Sequence, residues 1–152
     1  MTTEHGILAS LPTDQRDQLM ALAHEVTFPA GSRLFEESGR ADRFWIIGSG
    51  SVDLDLHVPG RQAAVVGTVG IGGLVGWSWL FPPRQWHLGA QAHSPVRAWE
   101  FDATAVLDLC EKDPVLGQAL VTGVARVVAD RLTAARTRLL DLYGPYGSGP
   151  TR

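Results

Sequence analysis

The chain has 152 residues, 45% of them apolar and 19% charged, with a net charge of −3; at that length one domain buries roughly 70% of its unfolded surface without cross-links. The acidic balance removes the electrostatic reason for a nucleic-acid or anionic-membrane partner, and no apolar stretch approaches the ~20 residues that span a bilayer. The lone Cys110 excludes an internal disulfide, and the first thirty residues lack the charged start and apolar run of a secretory signal, so the expected location is cytoplasmic.

"LPTDQRDQLMALAHEV" reads as a short amphipathic helix, with Thr13 at the N-cap and Leu19, Leu22, Ala23 and Val26 at helical spacing. From "TFPAG" onward the period changes: Val52, Leu54, Leu56 and Val58 alternate with Asp53, Asp55 and His57, which predicts a strand with one buried face and surface aspartates. "RFWII", "AAVVGTV" and "VRAWEF" are further β-rich runs, separated by the turn signals "PAGS", "GSGS", "VPGR" and "GIGG". Many short strands between glycine turns describe a sandwich or jelly roll.

After Asp102 the period becomes helical again. "DATAVLDLCEKDP" predicts a short helix that Pro114 ends or redirects, and Val115 to Leu142 a long one with Leu116, Leu120, Val124, Val128, Leu132, Ala135, Leu139 and Leu142 on one stripe. Helices average ~11 residues, so part of this one is expected to leave the β body and meet a copy of itself in a homodimer, its contacts being Leu116, Leu120, Val124, Val128, Leu132, Ala135 and Leu139. The other reading folds the helix back over the mouth of the roll. Arg126, Arg131, Arg136 and Arg138 lie late in the helix, where positive charge suits its dipole. Residues 1–143 form the expected domain and 144–152, rich in Gly and Pro, a flexible tail.

No constellation for catalysis or metal binding is found. The five histidines form no His-x-His or His-x-x-x-His pair; His87 and His93, six apart on an expected strand, stand roughly 20 Å from each other. Cys110 reads as a buried structural thiol. There is no nucleophile elbow and no phosphate-binding Walker loop, and "GIGG" has no accompanying helix or acid.

"GWSWLFPPRQWHLGA", Gly76 to Ala90, concentrates three of five tryptophans, either as core or as the wall of a binding site. Its setting resembles the cyclic nucleotide-binding domain of the catabolite activator family. "FPAGSRLFEESGRADRFWIIGSGSVDLDL" matches that family's opening through Pro29, Gly31, Glu37, Gly39, Ile47, Ser49 and Gly50, and "VGIGGLVGWSWL" its approach to the phosphate-binding cassette through Gly72 and Gly76. The likeness covers residues 7 to 142. It implies a mainly β fold with flanking α: an eight-stranded roll, or jelly roll, with an N-terminal helix and two C-terminal helices.

In that family a glutamate after the last glycine accepts from the ribose, and an arginine farther on pairs with the cyclic phosphate. Here Trp77 stands where the glutamate is expected, Trp86 where the arginine is, and Leu88 and Gly89 where Ala and Ser/Thr are. Arg84, two residues before Trp86, is the nearest replacement cation. Losing both charged tools removes about 1.5–3 kcal/mol for the phosphate pair and ~1 for the ribose, a weakening of roughly 60- to 900-fold. Cyclic AMP and cyclic GMP are therefore expected to bind weakly or not at all.

Three readings of the indoles stay open: they fill the old nucleotide cavity; they form a slot for another small molecule, with Gly76, Trp77, Ser78, Trp79, Leu80, Arg84, Trp86, His87, Leu88 and Gly89 as the ligand-binding set; or they stack on an unusual nucleotide held by Arg84. No cofactor is required by any of them. The transcriptional regulators of the resembling family continue into a helix-turn-helix of some fifty or more residues and only about ten follow Leu142, so a DNA-binding regulator is not the expected complete activity. The expected role is a non-enzymatic regulatory or sensor module, with a separate effector protein as a possible partner; the alternative is a ligand-free interaction subunit.

Overall fold

The structure is a computed structural model that describes residues 6–147. After a 3-10 turn at Leu8–Ser10, α1 spans Thr13–Met20. Pro12 occupies the N-cap, φ −58° and ψ 153°, with no side-chain cap, so Thr13 is the first helical residue and not the cap expected of it. The ring of Pro12 fixes φ where the chain must turn into the helix, and it does so without a hydroxyl. Leu19 is fully buried. Val26, expected on the same helix, lies instead in β1 (His24–Phe28), which pairs antiparallel with β8 (Val96–Asp102) from His24 opposite Glu100 to Phe28 opposite Val96. The β-branched pair Val26 and Thr27 favours the pleated pairing over another helical turn.

Two antiparallel four-stranded sheets form the roll that the sequence pattern implies. One has the order β1, β8, β3 (Arg43–Ser49), β6 (Leu74–Val75); the other β2 (Arg33–Phe35), β7 (Gly89–Ala92), β4 (Val52–Leu56), β5 (Ala64–Val69). β3 is buried from Phe44 through Ile47, without alternation, because one face looks into the roll and α2 (Ala103–Lys112) covers the other. A continuous apolar run is what a strand covered on both faces requires.

β4 departs from strict alternation. Val52 and Leu54 point inward as expected, but the register against β5 shifts between Leu54 and Asp55, and Asp55 is buried at 6% exposure. Asp55 is thus no surface charge: Arg33 of β2 pairs with it through two contacts, 2.5 and 3.1 Å. The pair crosses β7 between the two strands, over Gly89, where a Cβ would collide with both the guanidinium and the carboxylate. Hydrogen bonding to Asp55 is the main cause that raises the Arg33 pKa above its ordinary value.

Carboxylates start both C-terminal helices. Asp102 accepts from the N–H groups of Thr104 and Ala105 to cap α2. Asp113 does the same for Val115 and Leu116 at the start of α3 (Pro114–Gly147), with Pro114 in the first helical position. Donation from the Leu116 N–H, reinforced by Gln15, holds the Asp113 carboxyl below its usual pKa. A depressed carboxylate contributes stability that is present above its unfolded-state pKa and is lost as pH falls through the folded-state value. The stability advantage of the wild type over Asp113→Asn, a neutral cap, will accordingly shrink as pH is lowered below about 4 in urea titrations; an advantage constant down to about pH 2 would contradict the assignment.

α3 divides into two parts. Leu116, Leu120 and Val124 are at most 1% exposed and belong to this chain's own core, and Gly117 and Gly123 allow close approach to Cys110 of α2 and to Ile7. These three stripe residues are therefore withdrawn from the expected dimer contacts, because the first turns of the helix pack against α2 and α1. From Leu132 through Leu142 every residue is exposed, including Leu132, Ala135, Leu139, Leu140 and Leu142. The helix runs through Gly147, into the stretch expected as a tail; residues 148–152 of that tail lie outside the described residues. No helix among the described residues is long and apolar enough to cross a membrane.

Candidate functional site

β6 ends at Gly76, whose φ of +97° turns the chain into a 3-10 turn at Ser78–Leu80. Glycine is needed there twice over: an L residue is strained at that φ, and a Cβ would come within 2.8 Å of the Trp86 indole. Trp86 is held in place by its backbone, which donates to Gly39 and accepts from Ser38, both at 2.8 Å. Its ring stacks on Phe35 with centroids 3.9 Å apart and leans on Trp45 at 6.2 Å.

Trp79 takes a different path. It is fully buried, stacks on Phe44 at 4.5 Å, and its indole N–H donates to the Gly76 carbonyl at 3.0 Å. Phe44 in turn stacks on Phe101, so Trp79 anchors the turn to the core. Trp77 is half-buried, lies parallel to the His87 imidazole at 5.2 Å, and meets Phe81 edge-on. Beneath it Ser78 Oγ and His87 Nδ1 share a 3.0 Å hydrogen bond. The three indoles have three distinct environments: Trp79 is core, Trp86 is a buried wall, and Trp77 is a partly exposed one.

A cavity of about 260 Å³ is walled by Trp77 and Trp86. Of the expected ligand-binding set, Gly76, Trp77, Ser78, Trp86, His87 and Leu88 line it. Four do not. Trp79 and Leu80 pack against the core, and Gly89 starts β7 beneath the Arg33–Asp55 pair. Arg84 sits at φ +56° with its N–H on the Phe81 carbonyl and its carbonyl on the Ala41 N–H. That backbone places its side chain in a second depression with Arg40, Asp42 and Gln85, away from the indole-lined cavity.

The remaining lining comes from elsewhere in the chain. Phe35 and Leu54 enter from β2 and β4, and Val128, Arg131 and Leu132 from α3. Arg131 Nη2 donates to the Leu74 carbonyl, on the strand that leads into Gly76. The arginine grouped above with cations suited to the helix dipole therefore reaches the cavity, and the one beside Trp86 does not. Helical spacing alone placed Arg131 near the Val128–Leu132 stripe, which is the one sequence signal that could have found it.

No group of three or more His, Cys, Asp or Glu among the described residues is placed to hold a metal ion. His87 and His93 do not share a strand: β7 ends at Ala92, and His93 lies 3.0 Å from Asp53. Cys110 is half-buried, and burial, followed by the negative charge of Asp113, raises its pKa.

The model of the cyclic nucleotide-binding domain matches residues 25–113. A CRP-like cAMP-activated global transcriptional regulator of Mycobacterium tuberculosis is 29% identical over 117 residues, 77% of this chain and 50% of that protein. The chain thus spans about half the length of this curated relative. Among solved structures, a Geobacter metallireducens GS-15 protein described as cyclic nucleotide-binding superposes with a TM-score of 0.72 at 29% identity, covering 83% of this chain and 91% of that one. A cyclic nucleotide-binding domain from Methylobacillus flagellatus KT superposes with a TM-score of 0.80 at 17% identity, over 89% and 79%, a likeness of fold.

Proposed function

The chain belongs to the cyclic nucleotide-binding domain family, and from that premise we propose that it is a non-catalytic sensor module in which α3 reports the occupancy of the indole-lined cavity. One observation carries this reading: the cavity is walled on one side by the turn after Gly76 and on the other by Val128, Arg131 and Leu132 of α3. Any occupant touches both, so its binding energy differs between docked and displaced positions of the helix, which is the condition for a ligand to shift that equilibrium. The Arg131 contact to Leu74 ties the same two elements together.

The family's usual ligand fits this lining poorly. No carboxylate lines the cavity to accept from a ribose hydroxyl, and the loop's own cation, Arg84, is outside it. Isothermal titration with cyclic AMP and cyclic GMP will therefore give dissociation constants of about 0.1–1 mM, the range to which the roughly 60- to 900-fold weakening would bring a micromolar site. Low-micromolar binding of either, lost in Arg84→Gln, would overturn this part of the reading.

The exposed outer half of α3 supports a homodimer. Leu132, Ala135, Leu139 and Leu142 recur at intervals of three and four, and 53–63% of each leucine is exposed; such a seam is buried by a second helix of the same kind. Sedimentation velocity will show a dimer for the wild type and a monomer for the double variant Leu132→Asp, Leu139→Asp. A wild-type monomer at about 100 µM, well above the affinities of stable dimers, would remove the dimer and favour the ligand-free interaction subunit.

A further inference from the structure

The polar groups in the cavity wall are already occupied. Apart from Gly76, the lining is aromatic or aliphatic except at Ser78, His87 and Arg131. Ser78, only 4% exposed, shares its hydroxyl with His87 Nδ1 at 3.0 Å, and the imidazole lies flat against Trp77. Arg131 donates to the Leu74 carbonyl and holds a further interaction besides. Among the described residues, the one buried side-chain nitrogen or oxygen without a partner is Arg16 Nε, on α1 and outside this wall. A charged or oxygen-rich ligand would give up its water here and find no polar group left unpaired to replace it.

Size and shape narrow the class further. At about 260 Å³ the cavity lies between the ~150 Å³ that accepts benzene and the ~300 Å³ at which drug-sized sites begin. A two-ring body fits that interval. Trp77 and Trp86 supply flat aromatic surface on the side of the turn, and Val128 and Leu132, four residues apart and so on one face of α3, supply aliphatic surface on the other. A sugar phosphate would press several oxygens against indole and leucine, each unpaired polar group weakening binding by roughly ten-fold.

We propose that the cavity takes an uncharged, flat, two-ring aromatic molecule, held between the Trp77 and Trp86 indoles and the Val128–Leu132 face of α3. The proposal rests on the sensor reading above and names its ligand class. Apolar contact alone then links the turn after Gly76 to α3, and the polar bonds already present in the wall stay as they are. His87, the exposed polar residue of the lining, is where a single hydroxyl on such a molecule stays hydrated.

The test uses the full chain and three probes titrated by calorimetry at pH 7: uncharged 1-naphthol, 1-naphthoate with the same rings and a carboxylate, and phenol with one ring. Wild-type protein will bind 1-naphthol about 10- to 100-fold more tightly than 1-naphthoate, whose carboxylate loses its water unpaired. It will bind 1-naphthol at least about ten-fold more tightly than phenol, which buries one ring fewer. Trp77→Ala, a substitution outside the packed core, will weaken 1-naphthol by about ten-fold or more, while Arg84→Gln leaves it unchanged. Naphthoate binding as tightly as naphthol, or phenol as tightly as naphthol, overturns the ligand class and leaves the sensor reading standing. Naphthol binding that Trp77→Ala leaves within about two-fold places the ligand elsewhere and overturns the proposal. Failure of all three probes to bind removes the cavity as a ligand site and both conclusions with it. The wild-type comparisons hold whether or not a variant folds.

Discussion

Trp79→Ala will lower the unfolding free energy by about 3–5 kcal/mol, the range for emptying a fully buried aromatic site. At this chain length that is a fall in Tm of roughly 6–20 °C. Trp79 has no exposed surface, forms one end of the Phe44–Phe101 stack, and donates its indole N–H to the Gly76 carbonyl. Alanine therefore removes packing and leaves a buried carbonyl without its partner, two losses that the surrounding aromatic rings cannot relax to cover. Trp77→Ala provides the contrast. Its ring is partly exposed and packs on His87 and Phe81, so it will cost about 1 kcal/mol or less in stability, in line with substitutions outside the packed core. Equal costs for the two, measured by guanidinium unfolding, would contradict the division of the indoles into core and wall.

Asp55→Ala will cost about 3 kcal/mol, at the lower end of what breaking a buried pair from one side costs. The lower end applies because Arg33 remains 29% exposed and keeps Glu36 as a second partner at 2.9 Å. The loss extends to the site. Arg33 and Phe35 share β2, and the Arg33–Asp55 contact joins β2 to β4 across Gly89, so loosening it frees the Phe35 ring on which Trp86 stacks. Asp55→Ala will also raise the exposure of Trp86, seen as a red shift of tryptophan emission under native conditions. Replacing both partners, Arg33→Met with Asp55→Leu, will recover most of the lost stability, since no unpaired charge is then left inside. A double variant as unstable as Asp55→Ala would mean that packing, and not the stranded charge, sets the cost.

The family, the roll and the order of its helices were readable in the chain because each depends on local chemistry. Glycines at turns and period-two or helical apolar runs act within a few residues of themselves. The site was readable in part for the same reason: Gly76, Trp77, Ser78, Trp86, His87 and Leu88 occur in one short segment, and that segment forms one wall. Trp79 and Arg84 belong to the same segment and were expected with them. A 3-10 turn moves successive side chains by about 120°, so its neighbours diverge: Trp77 faces the cavity, and Trp79 the core.

By itself the sequence indicated most of the strands, turns and helices, although it assigned Val26 of β1 to the first helix. Only the tertiary structure decided which faces those elements bury. The register shift in β4 turned Asp55 inward, where alternation had pointed it out. The docking of α3 gave Leu116, Leu120 and Val124 to the core, Val128 and Arg131 to the cavity, and Leu139 to solvent. A periodic stripe records that a helix has an apolar side; it carries no record of how far along the helix its own domain extends, and that distance separates a core residue from one that lines the cavity, and a cavity-lining residue from an exposed one.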